Sequence, residues 1–462
     1  MAKLAIIGAG PKGAAIVAKA AALQTTGYRH PPPQIDLYDD EAVGAAWRGT
    51  IGYTDGEQPL CTLAERDLGF PYDASAWGSP VAEAMLGQFS WQAFSIQASG
   101  RTRYRDWIVD GRNPPAHSVF AEYLEHAVST AIKARVASHI QRRVTSIDFD
   151  PVRKQWRVES SDKVSPQTGD YDGVVITGSG RPVPPLPGAN GRVFDGQSFW
   201  RSVPQMRSLL LSDPDPSIII IGAGGTAAAI AYWFVRQGLT TLPITIIGRE
   251  ATLFARHHGP FEDRLFSDDV AWKALAPHVK EAFLSRTTAA VVWDYVLRNL
   301  RSDNINYESY SARGFAVKGQ GPALTPDLLD LELDIPPDST LTRARGLLAA
   351  LGGFALGPFV GPLRPPPAKR EATVFVDARG FDRWGFVDDL FATSPLRPFF
   401  ASANQAAIQS DMTFDLCISG QLAGRQVPEG LHVPGLGSIQ GPAATNLMGL
   451  GWLSDRVLSR YC

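Results

Sequence analysis

The stretch LAIIGAGPKGAAIVAKAAAL (Leu4–Leu23) decides the fold of this chain. A short apolar run comes first, a glycine turn follows it, and an alanine-rich segment follows the turn. A continuous apolar run of this length is typical of a strand that is buried on both faces of a parallel sheet. Because the glycine-proline turn interrupts the apolar run, the segment is not a signal peptide. It predicts the first strand–turn–helix unit of a Rossmann-like fold.

The glycines of this turn, Gly8, Gly10 and Gly13, form the pattern G-x-G-x-x-G. The first permits a tight turn, the second lets backbone approach a pyrophosphate, and the third allows close helix–strand packing. The next apolar run, QIDLYDD (Gln34–Asp40), predicts a strand that ends near Asp39, an acid suited to ribose hydroxyls. A glycine turn without a ligand is the alternative. The pattern predicts a dinucleotide site.

The stretch IIIIGAGGTAAAIAYWF (Ile218–Phe234) repeats this arrangement around Gly222 and Gly224. Its following strand runs to Arg249, which we place where the first unit has Asp39. A guanidinium can bind a 2′-phosphate through two charge-assisted hydrogen bonds, whereas an acid would repel it. The asymmetry predicts FAD in the first unit and NADPH in the second. A surface arginine without a ligand is the alternative.

Two further apolar runs, Val174–Ile176 and Val374–Val376, also precede glycine-containing turns. The sequence therefore predicts an α/β protein with two Rossmann-like dinucleotide-binding domains and a small substrate-binding region. We assign residues 1–205 to the first part of the FAD domain and residues 206–369 to the NADPH domain with a Pro/Gly-rich insertion. Residues 370–462 return to the FAD domain and close the substrate site.

The bulk composition is that of a packed globular protein, with 44% hydrophobic and 19% charged residues. Lys and Arg number 44 against 46 for Asp and Glu. Without a basic excess, neither nucleic acid nor an anionic membrane surface is an expected partner. No transmembrane span is expected either, because no apolar run reaches about 18 residues. A homo-oligomer is compatible with these properties.

Three cysteines, Cys61, Cys417 and Cys462, form no C-x-x-C pair and no metal-ligand spacing. A reducing cytoplasm suits this pattern, and no metal is expected. Two dinucleotide units in one chain are typical of flavin-dependent disulfide reductases and of flavin monooxygenases. Disulfide reductases relay electrons through paired cysteines, which this chain lacks. Oxygen or a dedicated acceptor is therefore the expected electron sink.

Several longer stretches resemble one known family. They are VGAAW (Val43–Trp47), GYTDG (Gly52–Gly56), RDLGFPY (Arg66–Tyr72), FSWQAF (Phe89–Phe94), DWIVDGRNPPAH (Asp106–His117), TLFAR (Thr252–Arg256), PFEDRLFSDD (Pro260–Asp269) and LSDRVL (Leu453–Leu458). On these stretches the chain resembles the N-hydroxylating flavin monooxygenases of siderophore assembly, most closely the mycobactin-type lysine N-monooxygenases. The resemblance covers most of the chain outside the Pro/Gly-rich insertion.

The resemblance implies a set of cofactor contacts. FAD would be bound by Gly8, Gly10, Pro11, Lys12, Gly13, Asp39 and Trp47. NADPH would be bound by Gly222, Gly224, Gly225, Thr226 and Arg249. It also implies that reduced flavin and O2 form a hydroperoxide, which bound NADP⁺ protects until an amine attacks it. The flavin itself does the chemistry, so no side chain is assigned as catalytic.

Three substrate positions depart from the pattern of the ornithine enzymes. Arg66 stands where they have a carboxylate-binding lysine, whereas Asp263 and Thr288 stand where they have asparagines. Arg66 keeps the positive charge, but Asp263 adds a negative one. The identity of the bound amino acid is therefore open, and Asp263 has the alternative of pairing only with Arg66 or Arg264.

The reacting amine must be neutral to act as a nucleophile. A lysine-like ammonium has a pKa near 10.4, so its deprotonation at pH 7 costs roughly 4.6 kcal/mol. A carboxylate touching that nitrogen would raise the pKa further. If Asp263 meets substrate, we therefore expect it to hold an ammonium or guanidinium that is remote from the flavin.

Two connectors join the predicted units. The proline-rich stretch RPVPPLPG (Arg181–Gly188) predicts extended backbone. The stretch ARGF (Ala378–Phe381) resembles the ATG-type turn that returns the family's chain to the FAD domain, and its Arg379 is unusual there.

The expected activity is N-hydroxylation of the side-chain amine of lysine, ornithine or a related amine. One alternative is a Baeyer–Villiger or sulfur-oxidising monooxygenase. Those families carry F-x-G-x-x-x-H between the two units, and this chain has Phe194 and Gly196 followed by Trp200 in place of the histidine. The other alternative is a non-catalytic flavin-binding scaffold.

Overall fold

The computed structural model describes residues 1–49, 51, 53–97, 101–162, 165–239, 241–249, 253–255, 259–287, 291–301, 304–317, 329–334, 369–419, 421–422 and 425–462. The strands are β1 (Lys3–Ile7), β2 (Gln34–Asp39), β3 (Ala137–Gln141), β4 (Arg143–Asp150), β5 (Gln155–Ser161), β6 (Pro166–Tyr171), β7 (Gly173–Ile176), β8 (Arg181–Pro182), β9 (Val193–Asp195), β10 (Ile218–Ile221), β11 (Ile244–Gly248), β12 (Phe254–Ala255), β13 (Val291–Val292), β14 (Ile305–Ser309), β15 (Ser311–Val317), β16 (Leu329–Asp334), β17 (Lys369–Glu371), β18 (Val374–Asp377), β19 (Phe381–Asp382), β20 (Gln421–Leu422), β21 (Arg425–Gln426) and β22 (Leu431–His432).

The helices are α1 (Pro11–Thr25), α2 (Ser79–Ala84), α3 (Trp91–Ser95), α4 (Arg101–Val109), α5 (His117–Lys133), α6 (Ser198–Arg201), α7 (Val203–Ser212), α8 (Gly225–Arg236), α9 (Pro260–Leu265), α10 (Asp269–Ala274), α11 (Pro277–Thr287), α12 (Asp294–Asn299), α13 (Gly385–Leu390), α14 (Ser402–Ser410) and α15 (Leu450–Leu458). Short 3₁₀ turns span Ala45–Trp47, Arg397–Phe400, Pro434–Ile439, Pro442–Thr445 and Leu447–Gly449, and a π-helical turn spans Met85–Phe89.

The first sheet contains five parallel strands in the order β22–β7–β1–β2–β3. Ile7, the last residue of β1, pairs with Tyr38 on one side and with Ile176 on the other. Helix α1 follows at once, and its buried alanines let it lie close to the sheet because no side chain extends beyond Cβ. The predicted strand–turn–helix unit is therefore present at the N-terminus.

The second sheet repeats the design with five parallel strands in the order β14–β11–β10–β18–β9. Its central strand β10 is a run of four buried isoleucines, and α8 follows it after the second glycine turn. Strands buried on both faces suit such a run. Together with the first sheet, this arrangement confirms the predicted α/β class with two Rossmann-like units.

The crossings between the two units differ from the boundaries expected at residues 205 and 370. Strand β9 pairs with β18, and both belong to the second sheet. The chain therefore enters the second unit through β8 and returns through β19, which pair with each other as an antiparallel ribbon. Strands β9 and β18 contain only three and four residues, and their composition indicates a strand without indicating which sheet it joins.

Two three-stranded antiparallel sheets accompany the main ones. Strands β4, β5 and β6 form one between β3 and β7, and β15, β16 and β17 form another at the edge of the second unit. Within the described part of the chain, no helix has both the length and the apolar character that a membrane span needs.

The C-terminal helix α15 is fixed to α1 by a buried ion pair. Lys19 Nζ lies 2.5 Å from Asp455 Oδ1, and the lysine side chain is only 2% exposed. The indole N–H of Trp77 also donates to Asp455, at 2.9 Å. A charge enclosed in this way depends on its partner, because removing one partner leaves the other buried and uncompensated.

We expect Asp455→Asn to lower the free energy of unfolding by about 3–5 kcal/mol, because it leaves the Lys19 ammonium buried without a counter-charge. Urea denaturation at neutral pH measures this change. Asp170→Asn is the matched control, because it breaks more exposed pairs with Arg153 and Arg157 and should change stability by less than about 1 kcal/mol. Equal effects of the two substitutions would contradict the prediction.

Candidate functional site

The first glycine turn combines two crowded positions with one open position. Gly8 has a φ of +106°, and a Cβ added to Gly13 would lie 2.3 Å from the Gly8 carbonyl oxygen. A Cβ on Gly10 would meet nothing within 4 Å. Gly10 is also the N-cap of α1, where no side chain of the described residues caps the helix, and Pro11 occupies its first turn. The open space beside an uncapped helix N-terminus fits a pyrophosphate.

Two cations lie beside this turn. Burial, together with the neighbouring Arg383 guanidinium, lowers the pKa of Lys12 to about 8. In the described part of the chain, neither Lys12 nor Arg383 has a carboxylate partner. Two uncompensated positive charges suit the two negative charges of a pyrophosphate. Arg383 was not anticipated from the sequence, because it follows the return crossover, far from the glycine pattern.

Asp39 anchors the turn through its carboxylate. Its Oδ2 accepts the N–H of Ala9 at 2.7 Å, and its Oδ1 accepts the N–H of Glu41 at 3.1 Å. Burial raises the pKa of Asp39 to about 6, although both N–H groups act in the opposite direction. The side chain thus lies at the carboxyl end of β2 beside the turn. Its expected contact with ribose hydroxyls stays a prediction.

Trp47 continues the same surface. The N–H of Gly44 donates to the Ala9 carbonyl oxygen at 3.0 Å, which ties the 3₁₀ turn carrying Trp47 to the glycine turn. The indole meets the imidazole of His117 at a ring-centroid distance of 4.4 Å. Burial lowers the pKa of His117 to about 3, so this histidine is neutral at physiological pH. Trp47 is therefore well placed for its predicted role beside the flavin.

The second glycine turn has the same backbone geometry as the first. Gly222 has a φ of +117°, and a Cβ there would lie 2.3 Å from the Ala378 carbonyl oxygen. Gly224 is the N-cap of α8, again without a side-chain cap among the described residues, and Gly225 and Thr226 form its first turn. These backbone groups are arranged as a dinucleotide site requires.

The register corrects the predicted equivalence of Arg249 and Asp39. The N–H of Gly8 donates to the Tyr38 carbonyl oxygen at 2.8 Å, and the N–H of Gly222 donates to the Ile247 carbonyl oxygen at 2.7 Å. Tyr38 and Ile247 are therefore equivalent, and each is the last residue of its strand that pairs with the preceding strand. Asp39 lies one residue beyond Tyr38, whereas Arg249 lies two residues beyond Ile247. Gly248 therefore occupies the position equivalent to Asp39. Arg249 is exposed at the same edge of the sheet, which leaves its guanidinium accessible to a 2′-phosphate.

Both glycine turns face the ribbon that joins the two units. We call the segment after β7 that contains β8 the first crossover, and the segment after β18 that contains β19 the second, or return, crossover. A Cβ on Gly8 would lie 2.5 Å from Oγ1 of Thr177, the residue at which the first crossover begins. Gly222 adjoins Ala378 in the same way, where the second crossover begins. Because β8 and β19 pair with each other, the carboxyl ends of both sheets meet at one place. Ligands of open α/β sheets bind at these ends, so we expect both predicted cofactor sites beside this ribbon.

The predicted substrate residues Arg66 and Asp263 form an ion pair. Arg66 Nη2 lies 2.6 Å from Asp263 Oδ2, and each side chain is 19% exposed. The guanidinium also stacks on the Phe70 ring at 4.0 Å. Arg264, the other candidate partner of Asp263, pairs with Asp268 at 2.6 Å. The third predicted substrate residue, Thr288, lies outside the described residues.

The segment that carries Arg66 is held by a buried carboxylate that the sequence gave no reason to single out. Asp67 accepts hydrogen bonds from the Tyr72 hydroxyl at 2.6 Å and from the N–H groups of Gly69 and Trp91 at 3.1 and 2.7 Å. Burial raises the pKa of Asp67 to about 6. These contacts fix the backbone next to Arg66.

The segment that carries Asp263 is fixed to the C-terminal helix. Asp269 accepts a hydrogen bond from Trp452 Nε1 at 2.8 Å and forms an ion pair with Arg456. The Arg456 guanidinium lies between the rings of Phe414 and Trp452, 3.8 and 3.9 Å from their centroids. Both partners of the Arg66–Asp263 pair are thus supported by rigid surroundings.

One group of potential metal ligands occurs among the described residues, formed by Asp415, Cys417 and His432. His432 Nδ1 lies 2.7 Å from the Asp415 carbonyl oxygen, and its Nε2 lies 2.7 Å from the Tyr461 hydroxyl. Burial lowers the pKa of His432 to about 4 and raises that of the Cys417 thiol. With both ring nitrogens hydrogen-bonded, the arrangement is that of a neutral core histidine.

Comparison with known proteins agrees with this geometry. The family profile described as pyridine nucleotide-disulphide oxidoreductase matches residues 2–276. L-lysine N6-monooxygenase MbtG from Mycobacterium sp. (strain MCS) is 30% identical over 467 residues, covering 99% of this chain and 94% of the relative. The protein of that name from Mycobacterium tuberculosis is 29% identical over 470 residues, covering 98% of this chain and 94% of the relative.

Solved structures show the same likeness. The lysine monooxygenase NbtG from Nocardia farcinica has a TM-score of 0.71 and 26% identity, covering 99% of this chain and all of that chain. The ornithine N-hydroxylase KtzI from Kutzneria sp. 744 has a TM-score of 0.63 at 18% identity, covering all of this chain and 99% of that one, which supports the fold. The chain belongs to the pyridine nucleotide-disulphide oxidoreductase family and, within it, to the flavin-dependent L-lysine N6-monooxygenases, as the resemblance predicted.

Proposed function

We propose that this chain uses FAD, NADPH and O2 to hydroxylate the side-chain nitrogen of lysine, ornithine or a related amino acid. The observation that carries the proposal is the meeting of both glycine turns at one paired crossover. Hydride transfer between two dinucleotides requires their sites to adjoin, and two turns that both contact the crossovers support such an arrangement. The names of the related proteins, which are lysine and ornithine hydroxylases, support the same activity.

The cysteines separate this chain from the disulfide-reducing members of its family. Cys61, Cys417 and Cys462 are all free thiols. Without a redox pair, electrons that enter the flavin have no disulfide to leave by. Oxygen as the acceptor follows, and the free thiols suit a reducing compartment such as the cytoplasm.

The chain's own groups would hold the cofactors in place. Gly10, Lys12 and Arg383 surround the space for the FAD pyrophosphate, and Trp47 would flank the flavin. Arg249 would hold the 2′-phosphate that distinguishes NADPH from NADH. When bound and reduced, the flavin supplies the oxygen chemistry by transferring one oxygen atom of O2 to the amine. The protein's task is to orient the two partners and to exclude water.

The Arg66–Asp263 pair would bind the head of the amino acid. A free amino acid carries a carboxylate and an ammonium on its α-carbon, and the pair presents one charge of each complementary sign. Arg66 would take the carboxylate and Asp263 the α-ammonium. This placement keeps the aspartate away from the reacting nitrogen, whose pKa it would otherwise raise.

Purified protein supplied with FAD, NADPH and air should convert L-lysine or L-ornithine to a hydroxylamine. Hydroxylated product should be quantified against NADPH consumed, because oxidation of NADPH alone yields peroxide without substrate chemistry. Ketones and thioethers serve as control substrates and should yield no ester or sulfoxide. Peroxide as the sole product with every amine would refute the proposed activity.

Gly10→Ala should weaken FAD binding at least about tenfold, because its methyl group would occupy the open space at the helix N-terminus. The φ of Gly10 is −83°, so alanine fits the backbone and the apoprotein should keep its stability. Titration of apoprotein with FAD and thermal unfolding measure the two quantities. Gly13→Ala is the matched contrast, since its Cβ would clash with backbone and destabilise the fold itself. Unchanged FAD affinity in Gly10→Ala would place the cofactor elsewhere.

Asp263→Asn should raise the KM for L-lysine about tenfold or more, because a charge-assisted hydrogen bond to the α-ammonium is lost. The wild-type preference for L-lysine over Nα-acetyl-L-lysine should shrink in the variant, since the acetylated substrate has no α-ammonium. Hydroxylamine formed per NADPH should also fall. Asp170→Asn, on the small sheet β4–β6, is the control. An Asp263→Asn enzyme with unchanged affinity and coupling would remove this aspartate from substrate binding.

A further inference from the structure

Arg379 is the unusual residue of the return crossover, and its side chain contacts both crossovers. Its Nε and Nη2 atoms each lie 2.8 Å from an oxygen of the Asp377 carboxylate, on its own crossover. Its Nη2 also donates to the Pro184 carbonyl oxygen at 2.7 Å, on the other crossover. We call this set of contacts the Arg379 clamp.

The clamp lies next to the second glycine turn. Asp377 ends β18, pairs in register with Ile221, and is 4% exposed. Ile221 directly precedes Gly222, whose backbone adjoins Ala378. A buried carboxylate here would repel the phosphates of a dinucleotide unless a cation compensated it. Arg379 supplies that cation and, with the same guanidinium, reaches the other crossover.

Besides the clamp, side chains hold the crossovers through the ion pair of Arg181 with Asp388 at 2.7 Å and the contact between the rings of Phe381 and Tyr53, whereas few backbone hydrogen bonds join the two segments. Strands β8 and β19 contain two residues each, and one backbone hydrogen bond beyond the ladder, from the N–H of Val183 to the Gly380 carbonyl oxygen at 3.1 Å, joins them. Gly180 and Gly380 have φ values of +87° and +105°, which few side chains would tolerate. Glycines permit several backbone conformations, so side chains that span both segments restrict the backbone here, and Arg379 does so beside the second glycine turn.

We propose that Arg379 is a positioning residue for hydride transfer, holding the two crossovers so that the two dinucleotide sites stay at reacting distance. This inference rests on the proposed function. The reaction would move one hydride, which consists of two electrons and one proton, from the dihydronicotinamide to oxidised flavin. It would leave a nicotinamide cation and an anionic reduced flavin. Such transfers need the reacting atoms about 3–3.5 Å apart, and a displacement of about 1 Å can cost roughly a hundredfold in rate.

Other contacts hold the two units together when the clamp is weakened. Arg236 of α8 pairs with Asp55, and Asp263 pairs with Arg66, and neither pair involves Arg379. A variant at Arg379 should therefore keep its fold and its two binding sites. Only the local geometry of the crossovers should change.

The decisive variant is Arg379→Lys. A lysine still compensates Asp377, but a single ammonium cannot reproduce the planar fork that reaches the carboxylate and Pro184 together. Anaerobic mixing of holoenzyme with NADPH, followed by the loss of the flavin's visible absorption, measures hydride transfer directly. We expect the rate at saturating NADPH to fall about tenfold or more, while the Kd values for FAD and NADPH stay within about threefold.

Arg370→Lys is the matched control. Arg370 forms a similar two-point contact with Glu308, at 2.8 and 3.2 Å, at the edge of the same unit. Its reduction rate should equal that of the wild type. A second readout uses the apoprotein: amide hydrogen exchange at Val183 should speed up in Arg379→Lys and stay unchanged in Arg370→Lys.

A second variant covers the case that Arg379→Lys fails to fold. The double variant Asp377→Asn with Arg379→Gln removes both charges, so it leaves no uncompensated buried carboxylate. It should show the same slow reduction of the flavin. Two outcomes would overturn the inference: wild-type reduction rates in both variants, or reduction rates that return to the wild-type value once the NADPH concentration is raised. If wild-type enzyme itself shows no reduction by NADPH, the proposed function fails instead.

Discussion

A pyrophosphate can approach a helix N-terminus only where the backbone carries no side chain in its path, and this constraint shapes both units of the molecule. In the first unit, Gly8 and Gly13 are crowded by backbone and by Thr177, and Gly10 alone faces open space. The backbone is therefore closely packed at Gly8 and Gly13, and the space for a phosphate lies at Gly10 between them. Parallel strands then put both such turns at the carboxyl ends of their sheets, where the crossovers also lie. The position of both predicted cofactor sites thus follows from the direction of the strands.

Charge is distributed according to the same geometry. Around the first turn, Lys12 and Arg383 lack carboxylate partners among the described residues, so their charge is available to an anion. At the points where the units join, by contrast, cations are matched: Arg379 with Asp377, and Arg456 with Asp269. Pairing at these joints avoids the cost of an isolated buried charge, and the guanidinium fork adds directionality. The unmatched cations thus mark the predicted pyrophosphate site, whereas the proposed substrate residue Arg66 is matched by Asp263.

The sequence predicted the repeating parts of this structure and missed the parts that depend on long-range contacts. Apolar runs followed by glycine turns identified β1, α1, β10 and α8, because their signal is local. The stretches around Arg181 and Phe381 were recognised as connectors, but the domain boundaries were set at residues 205 and 370, since short strands such as β9 do not encode which sheet they join. Arg249 was placed one residue out of register, because strand ends are poorly defined in sequence. The pairing of Asp263 with Arg66 was one of the alternatives that the sequence left open, and the structure selects it. The Asp67 network joins residues whose proximity only the folded chain reveals.

The pairing of Asp263 also removes the objection that an aspartate would oppose amine oxidation. At a separation of about 10 Å and an effective dielectric constant of about 20, a lone carboxylate would stabilise an ammonium by about 1.7 kcal/mol and raise its pKa by roughly one unit. Arg66, 2.6 Å from Asp263, contributes a nearly equal and opposite interaction at that distance. The pair therefore acts as a dipole. Its electrostatic interaction is strong with groups that contact it and weak with the distant side-chain nitrogen of the substrate. An amino acid bound at its head by this dipole would keep the pKa of its reacting amine almost undisturbed, which leaves the oxidised nicotinamide's positive charge and burial free to lower it.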